Sequence, residues 1–149
     1  MSEPALDNPT LSQVALVVRD IEATAAAYAD LLGVDMPPIQ LTGTQDETDA
    51  RYHGEPTDAR AKLAFFQLGG VSLELIEPVG GPSTWAEHLE KHGEGVHHLA
   101  FRTEAMDDTI ARLEGKGLSL AQRGNFTGGC YAYMDGGPLN VVLELLAKR

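Results

Sequence analysis

The sequence predicts an α+β protein made of two βαβββ modules, and three observations carry that prediction. An apolar strand that turns into an amphipathic helix occurs twice, in "SQVALVVRDIEATAAAYADLLGV" (Ser12 to Val34) and in "HHLAFRTEAMDDTIARLEGKGL" (His97 to Leu118). Each copy is followed by strand-like runs: "RAKLAFFQL" and "VSLELIE" after the first, "LSLAQ", "CYAYMD" and "NVVLELL" after the second. The last run of each copy carries the same Leu-Glu-Leu phrase, centred on Glu74 and Glu144. A repeated module that cannot bury its own sheet is expected to pair with its copy. The chain then divides into an N-terminal tail (residues 1–10), a first module (11–79), a linker with a short helix (80–95) and a second module (96–149).

Each element has a local reason. Asp20 is a natural N-cap for the first helix, Ile21, Ala25, Tyr28 and Leu32 recur at helical spacing, and Gly33 ends the run. The stretch from Thr42 to Arg60 is the longest polar interval, the composition of a lid, and is expected to supply the second strand of the first module. Gly69-Gly70 reads as a tight hairpin turn. In the linker, Thr84 and Glu87 have capping-box spacing, Trp85 and Leu89 can pack inward, and Gly93 and Gly95 stop the helix. His88 and His92 stand four apart there, a spacing that permits a shared metal but more often marks solvated side chains. The second long helix is expected to be capped by Thr103, with Met106, Ile110 and Leu113 on one face and Gly115 and Gly117 at its end.

Composition narrows the function. An apolar fraction of 43% is that of a folded protein. A net charge of −11 and scattered basic residues exclude an electrostatic contact with nucleic acid, which needs a basic face. No apolar run reaches the roughly 20 residues of a membrane span, and the first residues do not read as a leader, so a cytoplasmic protein is expected. Cys130 is the single cysteine, which excludes an intrachain disulfide, and beside Gly128 and Gly129 it reads as a small filler.

Strand parity singles out four polar residues. Residues i and i+2 share a face, so Gln13 lies with Ala15 and Val17, His98 with Ala100, Glu74 with Ser72, and Glu144 with Val142. In all four strands the bulkier apolar set lies opposite and is expected to pack on helices, which turns the four polar residues into a concavity. Singly, each has an ordinary reading: Gln13 as a solvated strand residue, His98 as a hydrogen-bonded core histidine, either Glu as plain alternation. Together, two carboxylates in a half-buried cup repel unless neutralised. Gln13, Glu74, His98 and Glu144 form a mixed N/O set that suits one divalent metal: cobalt, zinc, manganese, nickel or iron. His97, of opposite parity, is not expected among the ligands.

These features resemble the vicinal oxygen chelate (glyoxalase/bleomycin resistance/dioxygenase) superfamily over about Leu11 to Leu146. Within it, "VSLELIEP", "GEGVHHLAFRTEAMDDTIARLEGKG" and "VVLELL" look most like the methylmalonyl-CoA epimerase family. The resemblance implies an eight-stranded cup with helices on its outer face, a metal on Gln13, Glu74, His98 and Glu144, a homodimer, and a small-molecule substrate such as an acyl-CoA thioester. Gln13 stands where that family usually has His, and the resulting quartet looks more like the ligand set of animal glyoxalase I. That makes a lactoylglutathione lyase the first alternative and a non-catalytic small-molecule binding protein the second. The same Gln weakens an extradiol dioxygenase reading, which needs two His ligands. The expected chemistry is proton transfer next to a carbonyl through an enolate, with Glu144 as base and Glu74 sharing its role. Glu55 in "YHGEP" is a further acid/base candidate, because the family carries an acidic residue near the second strand. Arg19, Arg51, Arg60, Arg102 and Arg123 are the cations available to an anionic ester.

Overall fold

The computed structural model describes residues 3–149. Its long strands are β1 (Leu11–Val17), β5 (Arg60–Leu68), β6 (Val71–Val79), β7 (Gly95–Arg102), β8 (Ser119–Phe126), β9 (Gly129–Asp135) and β10 (Val142–Lys148). Three two-residue strands, β2 (Gln40–Leu41), β3 (Arg51–Tyr52) and β4 (Glu55–Pro56), complete one sheet in the order β2-β5-β6-β1-β7-β10-β9-β8-β3-β4. The helices are α1 (Ile21–Leu32), α2 (Gln45–Thr48), α3 (Thr84–His92) and α4 (Met106–Glu114).

The order contains the repeat. Read outward from the centre, β1-β6-β5-β2 and β7-β10-β9-β8 have the same connectivity, and the two halves join where β1 runs antiparallel to β7. Within each half the first and last strands are parallel, β1 with β6 and β7 with β10. Four strands thus meet at the centre of the sheet, each carrying one residue of the quartet.

The bulky parity set packs on helices. Leu73, Leu75 and Phe66 bury against Ile21, Ala25 and Ala29 of α1, while Leu143, Leu145, Ala132 and Met134 bury against Ile110 and Leu113 of α4. Ala5 joins the second cluster, and Arg112 Nε donates to its carbonyl at 3.0 Å, so this part of the N-terminal segment is docked. The opposite face holds a smaller cluster of Ala15, Val17, Ile76 and Tyr133 with Trp85 of α3. Helices α1 and α4 therefore cover the outer face, whereas α3 closes part of the inner one.

The caps follow local chemistry with two corrections. Asp20 Oδ1 accepts from Ala23 N at 3.1 Å, and Gly33 ends α1 in the left-handed region at φ 67°. Leu32 is exposed, and Ala29 takes its place on the buried face. The cap of α3 is Ser83, whose Oγ accepts from Ala86 N; Thr84 is already helical. Ala105, not Thr103, is the N-cap of α4, because Thr103 Oγ1 is engaged with Ala105 N and Thr109 Oγ1.

The polar interval differs most from expectation. The second strand of the first half falls just before it, at Gln40–Leu41. The interval itself forms α2 and the β3–β4 hairpin, and β3 pairs with β8 at the far edge, Arg51 opposite Arg123 and Tyr52 opposite Gln122. It works as a strap between the two edges, anchored by Thr42 N to the Ala61 carbonyl at one end and by Thr57 Oγ1 to the Pro82 carbonyl at the other. The expected eight strands gain a hairpin.

Leu75, fully buried under α1, and Leu31, largely exposed on it, give the packing a direct test. Leu75→Ala is expected to lower unfolding free energy by about 2–5 kcal/mol, and Leu31→Ala to change it by less than about 0.5 kcal/mol, read by urea denaturation.

Candidate metal centre

The site lies on two neighbouring rungs of the four central strands. On one, Glu74 of β6 sits beside Ala15 of β1, which sits beside His98 of β7. On the other, Gln13 of β1 sits beside Ala100 of β7, which sits beside Glu144 of β10. Each rung alternates a polar residue with an alanine, and both alanines are fully buried. The small side chains leave the space into which the long ones converge.

His98 Nε2 lies 3.3 Å from Glu74 Oε1 and 3.3 Å from Glu144 Oε1. All three side chains are buried, and none of these three atoms has a partner in hydrogen-bond geometry. Buried polar atoms are ordinarily satisfied, so three that face one another unpaired point to a group that completes them. Two carboxylates and a neutral imidazole carry two negative charges, and a divalent cation among them makes the buried site neutral. Gln13 lines the same cavity as Glu74 and Glu144 and can add an amide oxygen. The donor set fits the expected metal.

Electrostatics point the same way. Burial alone would push the His98 imidazole down, but the charge and hydrogen-bonding reach of Glu144, joined by Glu74, raise it to about 10. Burial pushes the Glu74 carboxyl up, and the Glu144 charge adds to that, against the lowering influence of His98. Without a metal, a proton on His98 supplies the positive charge the carboxylates need.

His97 departs from its predicted parity. Ala15 pairs with His98 and Leu16 with Val96, so His97 is the extra residue of a β-bulge, which re-aims side chains. Its ring is buried against His98 and Tyr133, and its Nδ1 lies 2.8 Å from His98 Nδ1. It is not one of the converging groups; it holds the far nitrogen of His98, which leaves Nε2 for the carboxylate side. Burial, followed by the neighbouring His98 and His88, keeps the His97 ring well below the ordinary histidine value and therefore neutral.

The remaining predicted residues are distributed unevenly. Glu55 is exposed on β4 and does not line the cavity. Because the second strand ends at Leu41, the glutamate of the polar interval that does line it is Glu47, whose Oε1 accepts from Thr44 N and Oγ1. Among the five arginines, Arg60 and Arg102 line the cavity, together with Lys148. Arg51 and Arg123 are paired with Asp49 and Asp107. His88 and His92 have ring centroids 5.0 Å apart on α3, outside the group formed by Glu74, His98 and Glu144. Cys130 is buried, as a filler should be.

The profile of the Glyoxalase/Bleomycin resistance protein/Dioxygenase superfamily matches residues 12–147. This chain belongs to that superfamily. Among superfamily relatives, an ethylmalonyl-CoA/methylmalonyl-CoA epimerase of Cereibacter sphaeroides is 32% identical over 115 residues, covering 76% of this chain and 75% of its own. The uncharacterized protein YqjC of Bacillus subtilis is 30% identical over 114 residues, covering 76% and 71%. In structure, the methylmalonyl-CoA epimerase of Mycobacterium tuberculosis superposes with a TM-score of 0.67 at 21% identity, over 99% of this chain and 93% of that one. At that identity the superposition shows the shared fold. No helix among the described residues is long and apolar enough to cross a membrane.

Cation binding must displace the His98 proton. Below about pH 10 the metal-free imidazole is protonated, so zinc binding at neutral pH is expected to release roughly one proton or more and to tighten as pH rises. Calorimetry in buffers of different ionisation enthalpy reads the release; a buffer-independent heat would contradict it. Ala15→Leu fills the gap between Glu74 and His98 and is expected to abolish zinc binding in a protein that still folds by circular dichroism.

Proposed function

We propose that the protein moves a proton at a carbon next to the carbonyl of an acyl-CoA thioester, and that methylmalonyl-CoA or a close homologue is the substrate. The observation that carries this reading is the buried convergence of Glu74, His98 and Glu144 on the floor of an open cup. The name of the Cereibacter sphaeroides relative supplies the substrate class, and Arg60, Arg102 and Lys148 along the cavity provide positive charge for an anionic ester in an otherwise acidic chain.

Gln13, Glu74, His98 and Glu144 would hold the divalent metal, which supplies Lewis acidity that makes the neighbouring C–H bond more acidic. The chain's own groups then handle the proton. A Glu144 carboxylate oxygen takes it, and the C–H bonding pair moves toward the carbonyl to give the enolate. Return of a proton to the opposite face inverts the carbon. Glu74, the second carboxylate of the floor, is the group placed to carry that proton. His98, pinned by His97, stays a fixed donor atom throughout, and Ala15 and Ala100 keep the floor open.

A second reading follows from Gln13, which faces the cavity where the epimerase-like pattern has His. The set Gln, Glu, His, Glu also suits isomerisation of a hemithioacetal through an enediolate, the glyoxalase I reaction. Both readings share the carbon acid and the base, and they differ in what the rest of the cup holds.

The zinc- or cobalt-loaded protein in deuterated buffer decides between them. Deuterium entry at C2 of methylmalonyl-CoA supports the epimerase; lactoylglutathione formed from the glutathione hemithioacetal of methylglyoxal supports the alternative. Absence of both would overturn the carbon-acid reading. In the active assay, Glu144→Gln is expected to lower kcat by about 10²–10⁴-fold, whereas Glu55→Gln, on an exposed edge, is expected to stay within about twofold.

A further inference from the structure

Two tyrosines on β9 line the same cavity, and the proposed reaction leaves them without a task. Tyr133 pairs across the sheet with Glu144 on one side and Gln122 on the other, and Tyr131 follows two residues earlier on the same face. Both line the cavity with Glu74 and Glu144, and their ring centroids are 5.1 Å apart. The Tyr133 ring is 5.0 Å from that of His98. The Tyr131 ring lies over Gly124, where a Cβ would stand 2.9 Å from its hydroxyl, so a missing side chain fixes the ring's place.

The surrounding bonds fix one role of each hydroxyl. Trp85 Nε1, a donor that cannot accept, lies 2.9 Å from the Tyr133 hydroxyl, so Tyr133 must accept there. Gln122 Oε1 accepts the backbone N–H of Thr84 at 2.9 Å, which settles the orientation of its amide. The Gln122 nitrogen therefore faces the Tyr131 hydroxyl at 3.0 Å, and Tyr131 must accept as well. Each hydroxyl has one hydrogen, and among the described residues neither has a protein acceptor for it. Both hydrogens are free for a further acceptor, and both side chains line the cup.

We propose that Tyr131 and Tyr133 are a preset pair of O–H donors that binds the oxygens of a planar oxyanion, the carboxylate or enolate of the substrate, beside the metal centre. This rests on the carbon-acid reading for the identity of the substrate, but the free hydrogen on each hydroxyl does not. Hydroxyl oxygens held in place before the reaction by Trp85 and Gln122 need little reorganisation when charge develops, which is the condition under which they favour the enolate over the neutral acyl group. Neutral phenols suit this role better than cations here, since a cation on the cup floor would compete with the metal for Glu74 and Glu144. Burial, against the lowering influence of the Gln122 hydrogen bond and with smaller contributions from the Glu144 and Glu74 charges, raises the Tyr131 phenol to about 12.

The test uses Tyr131→Phe and Tyr133→Phe, which retain the rings, with folding checked by thermal denaturation. Oxalate, a planar dianion, is titrated into zinc-loaded and zinc-free protein by calorimetry. Each variant is expected to bind oxalate to the zinc-loaded form about tenfold or more weakly, the loss of one hydrogen bond to a charged group. With methylmalonyl-CoA, kcat is expected to fall more than KM changes, the pattern of an interaction strengthened in the transition state. If the unsubstituted protein exchanges no C2 hydrogen while oxalate affinity still drops in both variants, the epimerase reading fails and the donor pair stands. Unchanged oxalate affinity in both variants, or no oxalate binding to the unsubstituted protein, overturns the donor pair.

Discussion

The mutual repulsion of Glu74 and Glu144, held under cover on β6 and β10 with β1 and β7 between them, is the constraint around which the centre of this fold is organised. Two buried carboxylates cost several kcal/mol unless a positive charge lies between them. His98 stands 3.3 Å from both and in the metal-free protein carries that charge as a proton. The convergence in turn depends on Ala15 and Ala100, whose small side chains let groups two strands apart meet, and on helices α1 and α4, which draw Leu73, Leu75, Leu143 and Leu145 to the outer face. Reverse the parity of β6 or β10 by one residue and the leucines enter the cup while the glutamates enter the core.

Much of this arrangement was legible because it depends on strand period alone. Two Leu-Glu-Leu phrases at matched places in a repeat place both carboxylates on one face without knowledge of any long-range contact. What parity missed came from breaks in the period or from pairing between distant segments. His97 faces inward because a bulge inserts it as an extra residue in β7, and the sequence "GVHHLAF" shows no sign of that slip. Ser83 displaces Thr84 as a cap by a single position, within the ordinary ambiguity of adjacent hydroxyl residues. In sequence the strap is only a polar interval, because its pairing with β8 is set by a partner about seventy residues away. A second strand inside that interval would bring Glu55 to the cup, whereas the cavity is reached by Glu47.

The hydroxyl pair was the least legible part. Tyr131 and Tyr133 read as half of an alternating strand, and the free hydrogen on each follows only once Trp85 and Gln122 are seen to donate to them. Those contacts tie α3, β8 and β9 together, so the helix that links the two halves also shapes the cup. The linker is thus part of the site: Thr84 orients Gln122, Trp85 orients Tyr133, and the same helix carries His88 against His97.

The most direct test of this organisation is anomalous X-ray diffraction from crystals of the zinc-loaded protein. The account predicts a single strong peak within bonding distance of His98 Nε2 and of one oxygen each from Glu74 and Glu144, with the Gln13 amide turned toward it. An empty cup floor, or zinc found instead among Asp20, Glu22 and Glu77, would contradict it.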